Sequence, residues 1–438
     1  MTRQPFAGGA LGLCGLVISA CVLAWVRQGD QTGRVGSFLL LYGLAFAAYL
    51  VGLVTSRGLS VFGLRAALAV ALLWRLALAF APPLLSSDVN RYVWEGRVQV
   101  HGGNPYAWDD RPNAPRWEGL RDSVYAGLNH PGYTAIYPPL WQMAAAAVVF
   151  VHDGVTAMKL FLVACEVLAL AALGRLLRRR GQPPERLLIW AWSPFALVEI
   201  AGGGHNEAFG LVFVVLALLA LESERPFLAA LLSALGFQAK FLPGLLALSW
   251  LRRFRTWHLL VAATLAVALV WPYWGAHRTL LMSLGKYAEL WRFNDTLFAP
   301  LAALFGHVGA VRVGAGAVLV LALVLAWGDI TPATAGLVVV SGVLLLGPNL
   351  LPWYALWLLP FVVLLDAPFA LLFTGTVALA YLVYPAWQSG EPWYIPWRVR
   401  ALEYGPSALV LATSGWRAFR RPKVPHKTID AKAGAAVG

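Results

Sequence analysis

The sequence predicts an all-α protein that crosses a membrane many times. Of its 438 residues, 59% are hydrophobic and only 13% are charged, whereas a soluble domain has roughly 45–50% apolar and about 25% charged residues. The apolar residues also fall in blocks of about 16 to 20, the length that a helix needs to cross a hydrocarbon core of roughly 30 Å. These observations exclude an ordinary soluble enzyme and predict a single integral membrane domain over residues 1–438.

The hydropathy pattern predicts a bundle of about 12–14 transmembrane helices. The first block is interpreted as a retained span rather than a signal peptide, because no clean cleavage site follows it and the next apolar block starts near residue 36. The expected spans lie near residues 8–26, 36–55, 66–85, 155–176, 187–203, 206–222, 226–239, 241–251, 257–274, 312–328, 331–347, 350–366, 368–386 and 403–419.

Clusters of basic residues predict which helix ends share the cytoplasmic side. They lie at Arg175–Arg186, at Arg252–Arg255 and in a tail of residues 417–438 that we expect to be disordered. A single crossing by residues 226–251 would put the first two clusters on opposite sides. Pro243 and Lys240 interrupt this block, since proline breaks helices and a lysine is costly at the bilayer centre. The sequence therefore predicts two short, tilted helices with Lys240 at the outer turn.

If the basic clusters share one side, the apolar segments 134–152 and 298–311 cannot both be simple spans. We expect them to be short helices that dip in from the outer side. Both termini are then cytoplasmic, and nearly every polar residue that anchoring does not explain lies on the outer side. Most of them belong to a large first outer loop, residues 86–133, which we expect to carry short amphipathic helices. This topology predicts an active site that faces away from the cytoplasm.

The charge and motif content excludes several classes of function. The net charge of +13 is interpreted as membrane anchoring and contact with anionic lipids, and no nucleic-acid partner is expected. The three cysteines, Cys14, Cys21 and Cys165, lie in apolar blocks without metal-binding spacing. No phosphate-binding glycine loop or HExxH motif is present, so we expect no nucleotide, cofactor or metal. An activated substrate on the outer side would have to be carried by a lipid.

Asp88 is the candidate catalytic residue. It follows the apolar wall of residues 80–85 at a membrane exit, and a carboxylate that is half shielded from water should have a raised pKa that suits a general base. The alternative is that Asp88 caps a helix over residues 88–100. If that segment is helical, Asp88, Arg91 and Glu95 share one face, and Arg91 serves either as an anion contact or as the partner of Glu95.

Further candidates for substrate binding lie along the outer side. His205, Asn206 and Glu207 follow three glycines at membrane depth, where ionisable residues are functional by default. The alternative for them is an ion pair with a neighbouring helix. Lys240 has no acidic residue nearby in the sequence and is interpreted as a contact to a lipid phosphate, with snorkelling as the alternative.

Aromatic motifs supply the remaining candidates for substrate binding. Arg292 and Asn294 stand beside aromatics in a mixture typical of sugar-binding surfaces, with an amphipathic helix on the membrane as the alternative. Tyr137, Trp353 and Tyr354 fit an interfacial aromatic belt, with ligand contact as the other interpretation.

In this order and topology, the motifs from about residue 75 to 360 resemble the GT-C class of membrane glycosyltransferases, and within it the bacterial polyprenyl-phosphate-mannose-dependent mannosyltransferases. They are Asp88-Val-Asn-Arg-Tyr-Val-Trp-Glu-Gly-Arg97 with Asn104-Pro-Tyr106, Asn129-His130-Pro131 with Tyr137-Pro-Pro139, His205-Asn-Glu207, Lys240 before Pro243, Trp291-Arg-Phe-Asn294 and Pro352-Trp-Tyr354. The resemblance implies a GT-C-like bundle, a polyprenyl-phosphate sugar donor, Asp88 as catalytic base and Lys240 near the donor phosphate. Asn90 stands where many such enzymes have the second Asp of an Asp-x-Asp pair, and Glu95 stands where related sequences often have Asp.

The expected reaction transfers a hexose, with mannose the first choice, to a glycan or glycolipid acceptor by a single inverting displacement. Asp88 would take the acceptor proton, while Lys240 and an arginine, Arg91 or Arg292, would stabilise the leaving phosphate. Two alternatives stay open on the sequence alone. One is a transporter or flippase of lipid-linked glycans, and the other is a glycan polymerase or ligase with a lipid-diphosphate donor.

Overall fold

The computed structural model describes residues 6–420, and within that range the chain is helical with no strand beyond one isolated bridge between Phe293 and Asn349. The helices are α1 (Phe6–Gln28), α2 (Val35–Thr55), α3 (Val61–Phe80), α4 (Asp88–Val100), α5 (Ser123–Ala126), α6 (Pro139–Val151), α7 (Val155–Arg179), α8 (Leu188–Ala191), α9 (Pro194–Ala196), α10 (Glu207–Glu222), α11 (Pro226–Ala239), α12 (Leu242–Leu248), α13 (Thr256–Val270), α14 (Met282–Leu290), α15 (Phe298–Trp327), α16 (Pro332–Leu346), α17 (Leu359–Leu364), α18 (Pro368–Thr376), α19 (Val383–Gln388) and α20 (Trp397–Arg420). The predicted all-α polytopic fold is confirmed.

Seven helices of the described range are long and apolar enough to cross a membrane. They are Gly9–Gln28, Thr32–Thr55, Val61–Phe80, Val155–Arg179, Thr256–Ala276, Phe298–Trp327 and Pro368–Gln388. An eighth is possible if Pro194–Gly202 and Glu207–Glu222, which meet at 120°, form one bent span. Four shorter apolar helices also lie in the described range, at Pro139–Val151, Pro226–Ala239, Pro332–Leu346 and Pro352–Leu364. Seven or eight segments thus have the length of a span, where the hydropathy pattern predicted about 12–14.

Several predicted boundaries differ from the observed ones for local reasons. The span expected at 66–85 begins at Val61 and ends at Phe80, because Pro82 and Pro83 follow and cannot continue a helix. The segment 298–311 was expected to be a separate helix. A kink at Gly306, whose φ of 68° is readily adopted only by glycine, does divide α15 into two helices, so the short helix ends near Gly306 rather than at residue 311.

The C-terminal helix agrees more closely with the predicted boundaries. The last helix, α20, extends from Trp397 to Arg420 and so includes the expected span 403–419. The predicted basic tail, residues 417–438, overlaps the end of this helix, and its residues 421–438 lie outside the described residues.

The two predicted arginine clusters lie at the same end of the bundle, which we name the basic end. There Arg180 pairs with Glu222, and the backbone N–H of Gly58 donates to Glu185 at 2.9 Å. The rings of Phe227 and Trp257 lie 4.7 Å apart and place the starts of α11 and α13 side by side. This arrangement requires the break near Lys240, and α11 does end at Ala239.

The opposite end, which we name the site end, carries the long connection of residues 81–138. Leu84 accepts a backbone hydrogen bond from Gln31 at 2.7 Å, so the start of this connection is fixed against the first helices. Asn104 donates to the carbonyl of Tyr273 at 3.4 Å, which holds the connection against the segment after α13. Helix α4 packs along α6, and a Cβ on Gly96 would lie only 2.7 Å from the Ala145 oxygen.

A buried ion pair stabilises the core below the site end. The guanidinium of Arg75 in α3 donates two hydrogen bonds of 2.7 Å to the carboxylate of Glu166 in α7. Arg75 also donates to the carbonyl of Ala191, and Trp190 donates to Glu166 at 2.8 Å. Every charge of the pair is thereby hydrogen-bonded, the condition under which a buried ion pair is tolerated.

Candidate active site

Asp88 is the first residue of α4 and accepts a hydrogen bond at Oδ1 from the side-chain amide of Asn129, at 2.7 Å. The position before the helix belongs to Ser87, and neither residue caps the helix through its side chain in the structure. Burial raises the pKa of Asp88, and the Asn129 hydrogen bond with the charges of Lys240, Arg91 and His130 offsets part of that rise. The result is a more basic carboxylate than an exposed aspartate.

Arg91 holds the segment that positions Asn129. Its guanidinium donates to the carbonyl oxygens of Asn129 at 2.9 Å, His130 at 2.7 Å and Tyr133 at 3.2 Å, and it lies 3.4 Å from the carboxylate of Glu95. Of the two predicted roles for Arg91, the structure therefore contains the pairing with Glu95. A guanidinium committed to these acceptors is poorly placed to bind a substrate anion as well.

Glu95 lies in the interface between α4 and α6 and is buried. Gln142 donates to its carboxylate at 2.7 Å, and Gln99 donates to the backbone oxygens of Glu95 and Gln142. Burial raises the pKa of Glu95, while Arg91 and Gln142 oppose that rise. Its contacts support α4, and a role in substrate binding stays a prediction.

Lys240 lies at the end of α11, and its acidic partner comes from another helix, which is the ion pair that the sequence analysis kept as the alternative for Glu207. Its Nζ donates to Asn206 Oδ1 at 2.7 Å and forms an ion pair with Glu207, both from the start of α10. The partners lie more than thirty residues away in the sequence, so local sequence could not reveal them. The ammonium also lies 4.8 Å from the ring centroid of Tyr137 and 5.9 Å from that of Tyr354, within cation–π range.

The base candidate and this cation belong to one site. The positive charge of Lys240 is close enough to Asp88 to lower its pKa. The hydroxyl of Tyr92, one turn after Asp88 in α4, lies 3.4 Å from the Tyr137 hydroxyl and 3.5 Å from Asn206 Oδ1. The structure thus brings together Asp88, Tyr137, Asn206, Glu207 and Lys240 from four parts of the chain, and it adds Tyr92 and Asn129, to which the sequence analysis assigned no role.

An aromatic wall borders this site. The ring of Trp291 lies 5.0 Å from that of His130 and 5.5 Å from that of Tyr287, onto which it stacks. The Tyr287 hydroxyl is 2.8 Å from the Tyr354 hydroxyl, which connects the wall to the residues around Lys240. Burial lowers the pKa of His130, and the Arg91 charge lowers it further. The clue to Trp291 and Tyr287 in the sequence was their aromatic character alone, which equally fits an interfacial belt.

His205 is buried behind Lys240 and stacks on Trp353, with ring centroids 3.9 Å apart. Its Nε2 lies 3.4 Å from a carboxylate oxygen of Glu199, without the geometry of a hydrogen bond. Among the described residues, Asn206 Nδ2 and Asn349 Oδ1 are also buried without a hydrogen-bond partner. Buried polar atoms of this kind are costly unless something satisfies them, and they give the site unused hydrogen-bonding capacity.

Arg292 and Asn294 are directed to other partners. Arg292 forms an ion pair with Asp295 at 2.7 Å and its side chain is 45% exposed. Asn294 donates to the carboxylate of Glu403 in α20 at 2.8 Å. These contacts join the loop before α15 to α20 and do not bring either side chain to Asp88 or Lys240. Their predicted substrate contacts stay predictions.

Metal binding was not expected at this site. Among residues 6–420, no three His, Cys, Asp or Glu side chains gather closely enough to hold a metal ion. The expectation of a reaction without a metal or cofactor stays a prediction.

Comparison with known proteins agrees with the predicted class. Residues 4–256 match the family model described as alpha-(1->6)-mannopyranosyltransferase, N-terminal domain, which is more than half of the chain. A polyprenol-phosphate-mannose-dependent alpha-(1-2)-phosphatidylinositol pentamannoside mannosyltransferase of Mycolicibacterium smegmatis is 27% identical over 400 residues, 81% of this chain and 90% of that protein. A probable alpha-(1->6)-mannopyranosyltransferase of the same organism is 25% identical over 364 residues, 65% of this chain and 62% of that protein.

No solved structure matches the chain. The matched range contains Asp88, Asn129, Glu207 and Lys240, whereas Trp291 and Tyr287 of the aromatic wall lie outside it. The chain belongs to the alpha-(1->6)-mannopyranosyltransferase family and is a mannosyltransferase with a GT-C-like, all-helical membrane fold.

Proposed function

We propose that this protein transfers mannose from a polyprenyl-phosphate donor to a hydroxyl group of a glycan or glycolipid, on the outer side of the cytoplasmic membrane. The observation that carries this proposal is the placement of one half-buried, more basic carboxylate, Asp88, near one fixed ammonium, Lys240. A base for the acceptor and a cation for the leaving phosphate are what such a transfer requires. The name of the mycobacterial relative supports the identity of the donor.

Asp88 acts on the acceptor. Its Oδ1 is engaged by Asn129, which leaves Oδ2 to accept the proton of the attacking hydroxyl. The acceptor oxygen forms a bond to the anomeric carbon while the bond from that carbon to the phosphate oxygen breaks, and the electron pair leaves with the phosphate. One displacement inverts the anomeric centre, so a β-linked donor gives an α-linked product, in agreement with the alpha linkage in the names of the family and relatives.

Lys240 acts on the donor phosphate. An ammonium has three N–H donors, of which two are used by Asn206 and Glu207. The third is available to a phosphate oxygen, whose charge increases as the bond breaks. Because Arg91 is occupied by backbone carbonyls and Arg292 is paired with Asp295, we assign the phosphate to Lys240 in place of either arginine.

The aromatic wall supports sugar binding. Binding sites for small molecules combine apolar and aromatic surface with a few placed polar groups, and Trp291, Tyr287 and His130 supply such a surface next to Asp88. The unsatisfied atoms of Asn206 and Asn349 can accept or donate hydrogen bonds to sugar hydroxyls.

The orientation rests on the distribution of charge. Basic residues are enriched in cytoplasmic loops, and the clusters at Arg175–Arg186 and Arg252–Arg255 both lie at the basic end. The site end then faces outward, where lipid-linked sugars replace nucleotide sugars as donors.

The test is transfer of radiolabelled mannose from polyprenyl-phosphate mannose by the purified protein, with α-(1→6)-linked mannan and phosphatidylinositol mannosides as acceptors. We expect Asp88→Asn to lower turnover about 10²- to 10⁴-fold. Asp109→Asn, which removes an exposed carboxylate from the same loop, should retain full activity. Near-wild-type turnover by a folded Asp88→Asn variant would refute the assigned base, and movement of the donor lipid across vesicles without a glycosidic product would favour a flippase.

A further inference from the structure

A concave site lies at the basic end, away from Asp88. It is a cavity of about 630 Å³ between α7, α10 and α11, a volume within the roughly 300–1,000 Å³ that small-molecule sites enclose. Its lining combines guanidinium groups with leucine side chains. The topology accounts for arginines at this end of the bundle, but neither it nor the mannosyl transfer accounts for a cavity that combines them with an apolar wall.

The cavity carries positive charge that the described part of the chain does not neutralise. Within residues 6–420, the side chains of Arg175, Arg178 and Arg225 have no hydrogen-bond or ion-pair partner, and Arg179 donates one hydrogen bond, to the carbonyl of Glu222. The carboxylate of Glu222 is already paired with Arg180. No acidic residue of the described range lines the cavity itself.

The arginines occupy one edge of the cavity. Arg175 and Arg178 lie one turn apart on the same face near the end of α7, and Arg225 stands in the turn between α10 and α11. Leu216 and Leu219 of α10 and two leucines of α11 continue the lining two turns further into the membrane-spanning part of the helices. The site therefore presents cations at the membrane boundary and an apolar wall below them.

We propose that this cavity binds an anionic phospholipid, with the phosphate between Arg175, Arg178 and Arg225 and an acyl chain along the leucines. Guanidinium groups bind phosphate oxygens through paired, charge-assisted hydrogen bonds. A soluble phosphate would satisfy the arginines but leave the apolar wall without a function, whereas a lipid satisfies both. Leu228 is 41% exposed, so the wall is open to a lipid that arrives from the side.

The experiment is native mass spectrometry of the full chain, delipidated and titrated with phosphatidylglycerol or with phosphatidylcholine of the same acyl chains. The test variant is Arg175→Gln with Arg178→Gln. The matched control is Arg57→Gln with Arg253→Gln, which also removes two positive charges from the basic end but outside this cavity.

We expect the first phosphatidylglycerol to bind in preference to phosphatidylcholine. Each basic residue near an anionic headgroup strengthens lipid binding by about tenfold or less. The test variant should therefore bind phosphatidylglycerol roughly 10- to 30-fold more weakly. The control should change affinity less than about twofold.

Equal weakening in test and control variants would show diffuse surface charge and overturn the proposal. Equal binding of the two lipids would also overturn it. So would loss of the preference for phosphatidylglycerol when inorganic phosphate alone is added. If the double variant does not fold, Arg225→Gln, in an exposed turn, repeats the measurement with one charge removed.

Discussion

The hydrogen bond from Asn129 to Asp88 should set the pH range in which the enzyme works. Asp88 must be ionised to accept a proton, and burial already raises its pKa. The Asn129 amide, 2.7 Å from Oδ1, stabilises the charged form. The variant Asn129→Leu keeps a similar volume but removes this donor, so the pKa of Asp88 should rise further.

The size of the shift follows from the hydrogen bond. A hydrogen bond to a charged group contributes about 1.5–3 kcal/mol, and one pKa unit corresponds to about 1.36 kcal/mol. Removal of the Asn129 donor should therefore move the pKa of Asp88 upward by about one to two units. Activity requires the ionised carboxylate of Asp88, so activity is lost as the pH falls through this pKa. The acidic limb of the pH–activity profile should therefore move to higher pH in the variant.

The assay is the pH dependence of kcat/KM for mannosyl transfer, which reports groups of the free enzyme. The control is Asn113→Leu, an exposed asparagine of the same loop, which should leave the limb in place. A lower rate in Asn129→Leu with an unmoved acidic limb would refute the reasoning, because it would show that Asn129 supports structure alone or that Asp88 is not the titrating base.

Three further predictions concern the ion pairs and the aromatic wall. Glu207→Gln keeps the shape of the side chain but removes the charge paired with Lys240. We expect KM for the donor to rise about tenfold and KM for the acceptor to stay unchanged, as measured by steady-state kinetics with each substrate varied. Arg75→Met leaves Glu166 buried without its partner and should destabilise the fold by about 3–5 kcal/mol, as measured by thermal unfolding in detergent. Arg75→Met combined with Glu166→Leu should recover most of that stability. Failure to recover it would contradict the buried-charge explanation. Trp291→Ala removes the ring that contacts His130 and Tyr287 and should raise KM for a sugar substrate several-fold, whereas Trp108→Ala, an exposed tryptophan of the outer loop, should not.

The sequence predicted the parts of the fold that depend on local physics. Apolar blocks of sufficient length identified the spans, and Pro243 with Lys240 identified the break between α11 and α12. A helix over residues 88–100 was considered as a possibility, and α4 has those bounds. Gly306 was missed as the break in α15 because glycine is common in membrane helices, and its hydropathy does not reveal the backbone conformation that it adopts.

The contacts within the site could not be predicted in the same way. Asn129 and Asp88 are 41 residues apart, and Lys240 and Glu207 are 33 apart. Nothing next to either residue in the sequence specifies its partner, because the partner is supplied by the packing of a different helix. Each side chain was recognisable as unusual by its charge in an apolar setting, whereas its role in a network depends on tertiary structure.

The lengths of α10 and α11 determine how a donor can approach. These helices have 16 and 14 residues and so rise about 24 and 21 Å, less than the roughly 30 Å of the hydrocarbon core. When the end of α10 at Glu222 and the start of α11 at Pro226 lie at the basic end, the Lys240–Glu207 pair at their other ends lies short of the outer boundary. We therefore expect a polyprenyl-phosphate donor to reach the pair sideways from the bilayer, because its phosphate has to lie below the outer boundary of the hydrocarbon core.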